Sequence, residues 1–155
     1  MAFILSYTKK TDQYTTYQLL TPEGSTELCT IDGTTYVSVP DGETLPDHQP
    51  AQIADSIETP VMTPELLAEL KAASPHAALI NRRMIEKIRE RYSVDDEMFF
   101  ARIAGGAGLG RYEIPLSEQA ELDAYQQYVE GIREWGREQR ASLGLVVPDT
   151  EEPAL

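Results

Sequence analysis

Four prolines, at positions 40, 46, 50 and 60, divide the chain into two stretches with different periodicities. Ahead of them, aromatic and β-branched residues cluster in short runs, as in strands. Beyond them, apolar residues recur every three or four positions, as in amphipathic helices. Proline fixes its φ angle and donates no backbone hydrogen bond, so a stretch carrying four of them, with acids and Gly42 between, continues neither pattern. This predicts an α+β chain in four parts. Residues 1–40 form a small antiparallel β-hairpin module, 41–62 a proline-rich connector, 63–144 a C-terminal bundle of about four helices, and 145–155 an acidic flexible tail. At this density the prolines favour extended chain, so the connector is expected to hold its neighbours apart, with one short helical turn within 52–58.

Strands are expected over Phe3–Tyr7 and Tyr14–Leu20. The strongest local signal is Asp32-Gly33, the dipeptide of a two-residue hairpin turn, between Leu28–Ile31 and Thr34–Val39. In that register Ile31 faces Thr34, Cys29 faces Tyr36 and Leu28 faces Val37. One face then carries Leu28, Val37 and Val39, and the other Cys29, Ile31 and Tyr36. Both faces offer apolar surface, so the sheet needs a cover, either from its own chain or from another.

Thr63-Pro64 and Ser74-Pro75 each place a hydroxyl N-cap before a proline at the first helical position. They predict helices over Pro64–Ala73 and Pro75–Tyr92. Ser93 caps a third helix, with Asp95, Asp96 and Glu97 in its first turn, which is expected to stop at the glycines after Ile103. A fourth runs from near Ser117 to Leu143, about 39 Å at 1.5 Å per residue, with Gly144 as its stop. Its stripe is Leu122, Tyr125, Val129, Ile132, Gly136, Gln139 and Leu143. Tyr125, Tyr128 and Trp135 make an aromatic band wider than this stripe, which suits either core packing or a subunit interface. The candidate interface residues are therefore Leu28, Tyr36, Val37, Val39, Tyr125, Tyr128, Val129, Ile132 and Trp135.

Composition bounds the function classes. The 155 residues carry 26 acids against 13 bases, a formal net charge of −13, which opposes general binding to nucleic-acid phosphates or anionic lipid. The charge is uneven: residues 1–70 hold eleven acids and two bases, 71–111 five acids and eight bases, and 112–155 ten acids and three bases. Acidic ends around a basic middle favour pairing within the chain or between copies. Arg82, Arg83, Lys87, Arg89 and Arg91 are interleaved with Glu86 and Glu90, the pattern of a solvated or subunit-facing helix surface. A single cysteine, Cys29, makes no internal disulfide, and in a strand it reads as a small hydrophobe. No run approaches the roughly 20 apolar residues of a membrane span, and the first residues lack a signal-peptide pattern, so the expectation is synthesis in a cytoplasm.

Chemistry-bearing motifs are sparse. Gly105 to Gly110 imitates a phosphate-binding loop in spacing only. Arg111-Tyr112 stands where Lys and Ser or Thr would contact phosphate and Mg²⁺, so the run reads as an interhelical loop. His48 and His76 have no carboxylate or thiol at metal-ligand spacing, and Asp95, Asp96 and Glu97 suit helix capping. No catalytic residue, metal, cofactor or small-molecule substrate is expected.

Three segments carry a resemblance: Thr34–Gly42 leading into Leu45–Pro50; Lys71–His76 through Ile88–Glu97, the latter Ile-Arg-x-Arg-Tyr-Ser-x-x-Asp-Glu; and Tyr128–Arg137 through Leu143–Leu145. Together, over roughly residues 26–145, they resemble small tail-region proteins of tailed bacteriophages and prophages. The middle segment is the most specific. The resemblance implies a structural part of the tail tip, baseplate or fibre attachment, made in the host bacterial cytoplasm, carried in the virion tail in several copies, with other phage tail proteins and copies of itself as partners. A tail or tail-fibre assembly factor is one alternative. An acidic inhibitor of a host defence protein is another, which the arginines of 82–91 oppose because a DNA mimic needs a continuous acidic face.

Overall fold

The structure, a computed structural model, describes residues 2–147. It is an α+β fold with a three-stranded antiparallel sheet, a two-stranded ribbon and five helices among the described residues. These fall into two compact units: one joins residues up to Leu79 with those from Glu138 onward, and the other is Ile80–Arg137. Two helices, α3 (Pro75–Arg89) and α5 (Leu116–Ser142), run unbroken from one unit into the other. The boundaries drawn from composition at 40 and 62 therefore do not coincide with the compact units.

In the first unit the sheet has the order β1 (Phe3–Tyr7), β5 (Thr34–Val39), β4 (Thr26–Ile31). Asp32 at φ 48° and Gly33 at φ 82° make the predicted turn, and Ile31 pairs with Thr34 and Cys29 with Tyr36 as expected. Beyond Cys29 the register differs. A bulge between Glu27 and Cys29 sets Glu27, not Leu28, opposite Val37. An extra residue on one strand reverses the alternation of side chains past it. Val37 and Val39 accordingly pack with Leu5, Tyr7, Leu19 and Ile53 in one buried cluster. Leu28 packs on the other, with Ile4, Leu70, Ala77 and Leu145, alongside Cys29, Ile31 and Tyr36.

The chain covers both faces itself. On the Leu28 side the cover is α2 (Pro64–Ala73), the first turn of α3 and the residues after α5. On the Val37 side it comes from the proline-rich segment, which is no spacer. Its helix α1 (Ala51–Ala54) buries Ile53 completely, with Leu45 and Ile57 packed beside it. Ser6 and Glu58 exchange backbone hydrogen bonds at 2.9 and 2.8 Å, and the Gln49 amide donates to the Leu20 and Pro46 carbonyls while accepting from the Leu20 N–H. Prolines leave φ fixed but remove none of the apolar side chains between them, and burying those gives the extended chain a reason to lie against the sheet.

The expected strand over 14–20 shrinks to β3 (Thr16–Tyr17), paired with β2 (Lys10–Thr11). The Asp12 carboxylate accepts the N–H groups of Tyr14 and Thr15, so these residues turn instead of extending, and Tyr14 is 88% exposed.

The caps behave as their residues dictate. The Thr63 hydroxyl accepts from Leu66 N–H at the start of α2. At the end of α5, Gly144 takes φ 71° while Leu145 N–H reaches Arg140 and Gly144 N–H reaches Ala141, closing the helix and driving Leu145 into the core. The tail expected from 145 thus begins with a core residue, and its remainder beyond Val147 lies outside the described residues. The glycines after Ile103 do not stop a helix: α4 is Val94–Gly108. It closes only at Gly110, with Arg111 N–H bonded to Gly106 C=O and Gly110 N–H to Ala107 C=O. Phe100 and Ile103, buried with Leu122, anchor this helix. A Cβ on Gly106 would stand 3.0 Å from that of Tyr112, so the missing side chain lets the returning chain approach. The backbone groups that a phosphate loop would present are bonded within the helix.

Candidate functional site

The second unit holds the densest arrangement of polar and aromatic groups, at the joint between the end of α3 and the start of α4. The chain turns sharply there, and each element gives groups that must find partners. Ser93 caps α4: its hydroxyl accepts from Asp96 N–H at 3.0 Å, and Asp96 Oδ2 accepts from Ser93 N–H at 2.7 Å and from its hydroxyl at 2.8 Å. Those donors, backbone first, hold the Asp96 carboxyl below the usual carboxylate range. One turn on, Glu97 forms an ion pair with Arg89 across the joint and accepts the Tyr125 hydroxyl at 2.8 Å. Burial alone would raise the Glu97 pKa, but the bonds from Tyr125 and Arg89 outweigh it and hold the carboxyl low. Tyr125, desolvated and donating to that carboxylate, has its phenol pushed up to about 12.

Around this pair lies a nest of rings. Tyr92 stands edge-on to Phe100, Tyr125 and Tyr128 at 6.0, 5.1 and 5.6 Å between centroids, and Phe100 stacks on Tyr125 at 4.8 Å. The Arg91 guanidinium sits 5.1 Å from the Tyr128 ring and 5.5 Å from Tyr92. The Tyr128 hydroxyl donates to Lys87 C=O at 2.6 Å, satisfying a carbonyl in the last turn of α3 that has no helical partner. Lys87 Nζ in turn lies 5.0 Å over the Trp135 ring. Each such contact contributes on the order of 1 kcal/mol, so the joint is held by many comparable interactions and no dominant one.

The predicted interface residues separate into two groups. Leu28, Val37, Val39, Val129 and Ile132 are buried within the chain's own fold, at 9% exposure or less, and offer no surface to a partner; both sheet faces are covered, and the α5 stripe is turned inward. Tyr36, Tyr125, Tyr128 and Trp135 are half-buried. Tyr36 packs on the Leu28 side of the sheet, while Tyr125, Tyr128 and Trp135 belong to the joint. The structure brings together three of the nine and adds Arg89, Arg91, Tyr92 and Glu97, which sequence reasoning did not join to them. The signal was partial. Ser93 and Asp96 were legible as a cap, but nothing in the spacing reveals that Glu97 faces a tyrosine 28 positions away.

In the joint the Asp96 carboxylate is taken up by the cap, that of Glu97 is ion-paired, and the Tyr125 and Tyr128 hydroxyls are donors. Elsewhere, burial, with Glu27 adding to it, pushes the Cys29 thiol up, so the thiol stays protonated at neutral pH. His48 and His76 are exposed, and among the described residues no three His, Cys, Asp or Glu side chains gather as metal ligands. Among those residues no helix is long and apolar enough to cross a membrane. Compared with known protein families, curated proteins and solved structures, the chain shows no match.

Proposed function

We propose that this chain is a non-catalytic structural component of the tail end of a tailed bacteriophage, at the tail tip, baseplate or fibre attachment, where several copies bridge neighbouring subunits. One observation supports it most. The segment most specific to the resemblance, Ile88–Glu97, has six of its chemistry-bearing side chains engaged at the joint of α3, α4 and α5, with Glu90 and Asp95 exposed: Arg89 with Glu97, Arg91 and Tyr92 in the ring nest, Ser93 and Asp96 in the cap. A motif whose acids, bases and hydroxyls are used in this way serves shape. Shape is what an assembly part requires of its sequence.

Mass spectrometry of purified particles tests the reading. Peptides of this chain at a stoichiometry of several copies per virion are expected. Absence from particles overturns it, and abundance in infected-cell lysate without incorporation would identify an assembly factor instead.

A further inference from the structure

A hollow of about 290 Å³ opens in the second unit between α4 and the turn that follows it. Phe99, Ile103, Gly106 and Tyr112 give it an apolar floor, and Arg102 and Arg111 stand at its rim. The two guanidiniums are exposed, and neither is ion-paired to a carboxylate among the described residues; Arg102 lies only 5.9 Å over the Phe99 ring. Elsewhere Lys9, Arg82, Arg89, Arg133 and Arg137 pair with a glutamate. In a chain of net charge −13, two arginines outside any ion pair among the described residues stand on one apolar hollow, where the carboxylate bound to the lining is Glu118, which accepts the Tyr112 hydroxyl at 2.7 Å.

We infer that this hollow receives residues 148–155 of a second copy of the chain. That segment, Pro-Asp-Thr-Glu-Glu-Pro-Ala-Leu, supplies three carboxylates, from Asp149, Glu151 and Glu152, followed by Ala154 and Leu155. It thus complements both parts of the hollow: acids for Arg102 and Arg111, apolar Ala154 and Leu155 for the floor of Phe99 and Ile103. Proline fixes its own φ angle, so Pro148 and Pro153 lower the entropy that docking such a sequence costs. Eight residues span at most about 26 Å when fully extended. The inference deepens the proposed function, since it rests on several copies standing together and says what joins them.

Sedimentation of the full-length chain over a range of concentrations tests the contact. Self-association that weakens as salt rises is expected. The Arg102→Glu/Arg111→Glu variant and the Glu151→Arg/Glu152→Arg variant should each weaken it about tenfold or more, two exposed pairs being removed. Combining all four changes should recover association, a readout that a merely misfolded variant could not give. A chain that is monomeric throughout, reversals without effect, or no recovery in the combined variant would each overturn the contact. A chain present in virions but indifferent to these reversals sinks the contact alone. One that self-associates through the hollow but is absent from particles sinks the structural role alone.

Discussion

Glu97 shows how much a single side chain is asked to do: it lies in the first turn of α4, where the helix dipole favours a negative charge, and it also receives Arg89 and the Tyr125 hydroxyl. The consequence is readable in Tyr125. Desolvation, with the Glu97 carboxylate second, raises its pKa from 10.0 to about 12, so the folded state holds the phenol proton more tightly than the unfolded chain. This contribution to stability is complete below pH 10, the unfolded value, and is lost as pH rises towards 12. Ultraviolet titration of tyrosinate should show a late-ionising group that disappears in Tyr125→Phe; an unchanged titration would count against the bond. Glycines in α5 make a second contrast. At Gly131 a Cβ meets nothing within 4 Å, so Gly131→Ala should stabilise by about 0.5–1 kcal/mol through helix propensity. At Gly136 the added carbon runs into the Met84 sulfur and stands 3.0 Å from its methyl, so the end of that flexible side chain must move, and Gly136→Ala should gain less stability than Gly131→Ala. Chemical denaturation of the two variants checks the order.

At the scale of elements, the segment between the sheet and the helices matters most. A proline-spaced connector without packing would tolerate Ile53→Ala within about 0.5 kcal/mol. In the structure Ile53 is fully buried against Leu5, Tyr7, Val37 and Val39, so the same change should cost about 3 kcal/mol by denaturant midpoint. The bulge in β4 teaches a related lesson. The turn Asp32-Gly33 fixed the pairing as far as Cys29, because turn geometry is local. The face on which Leu28 falls depended on one additional residue, accommodated because Leu70 and Leu145 lay ready to pack with it. The glycine run of α4 stays helical to Gly108, against the expectation from its residues, for the same reason. Each glycine costs about 1 kcal/mol in a helix, but buried Phe100 and Ile103 and the close approach of Tyr112 decide whether that cost is met.

Over the whole molecule, the net charge opposes general binding to nucleic-acid phosphates, and four of the five bases of residues 82–91 face the chain's own groups. Arg82 pairs with Glu86, Arg89 with Glu97, and Arg91 and Lys87 lie against rings, while net charge −13 repels phosphate. A band-shift experiment with duplex DNA at about 0.15 M salt should show no retention; salt-sensitive binding there would contradict this account of the arginines.

By itself the sequence determined what depends on neighbours a few positions away: the turn at Asp32-Gly33, the caps at Thr63 and Ser93, the closure at Gly144, and with them the α+β order of elements. It also left the chain poor in chemistry-bearing clusters. Only the tertiary structure decided what those elements face. Leu28, Val37, Val39, Val129 and Ile132, expected at an interface, became core because other parts of the same chain reached them first. The tyrosines of α5 became part of a joint because Tyr92 and Glu97 turn back onto them. Capping and turn formation are governed by bonds within one or two turns of backbone, and local sequence suffices to write them. Burial depends on which apolar surfaces meet across dozens of residues, and that is set only when the whole chain closes on itself.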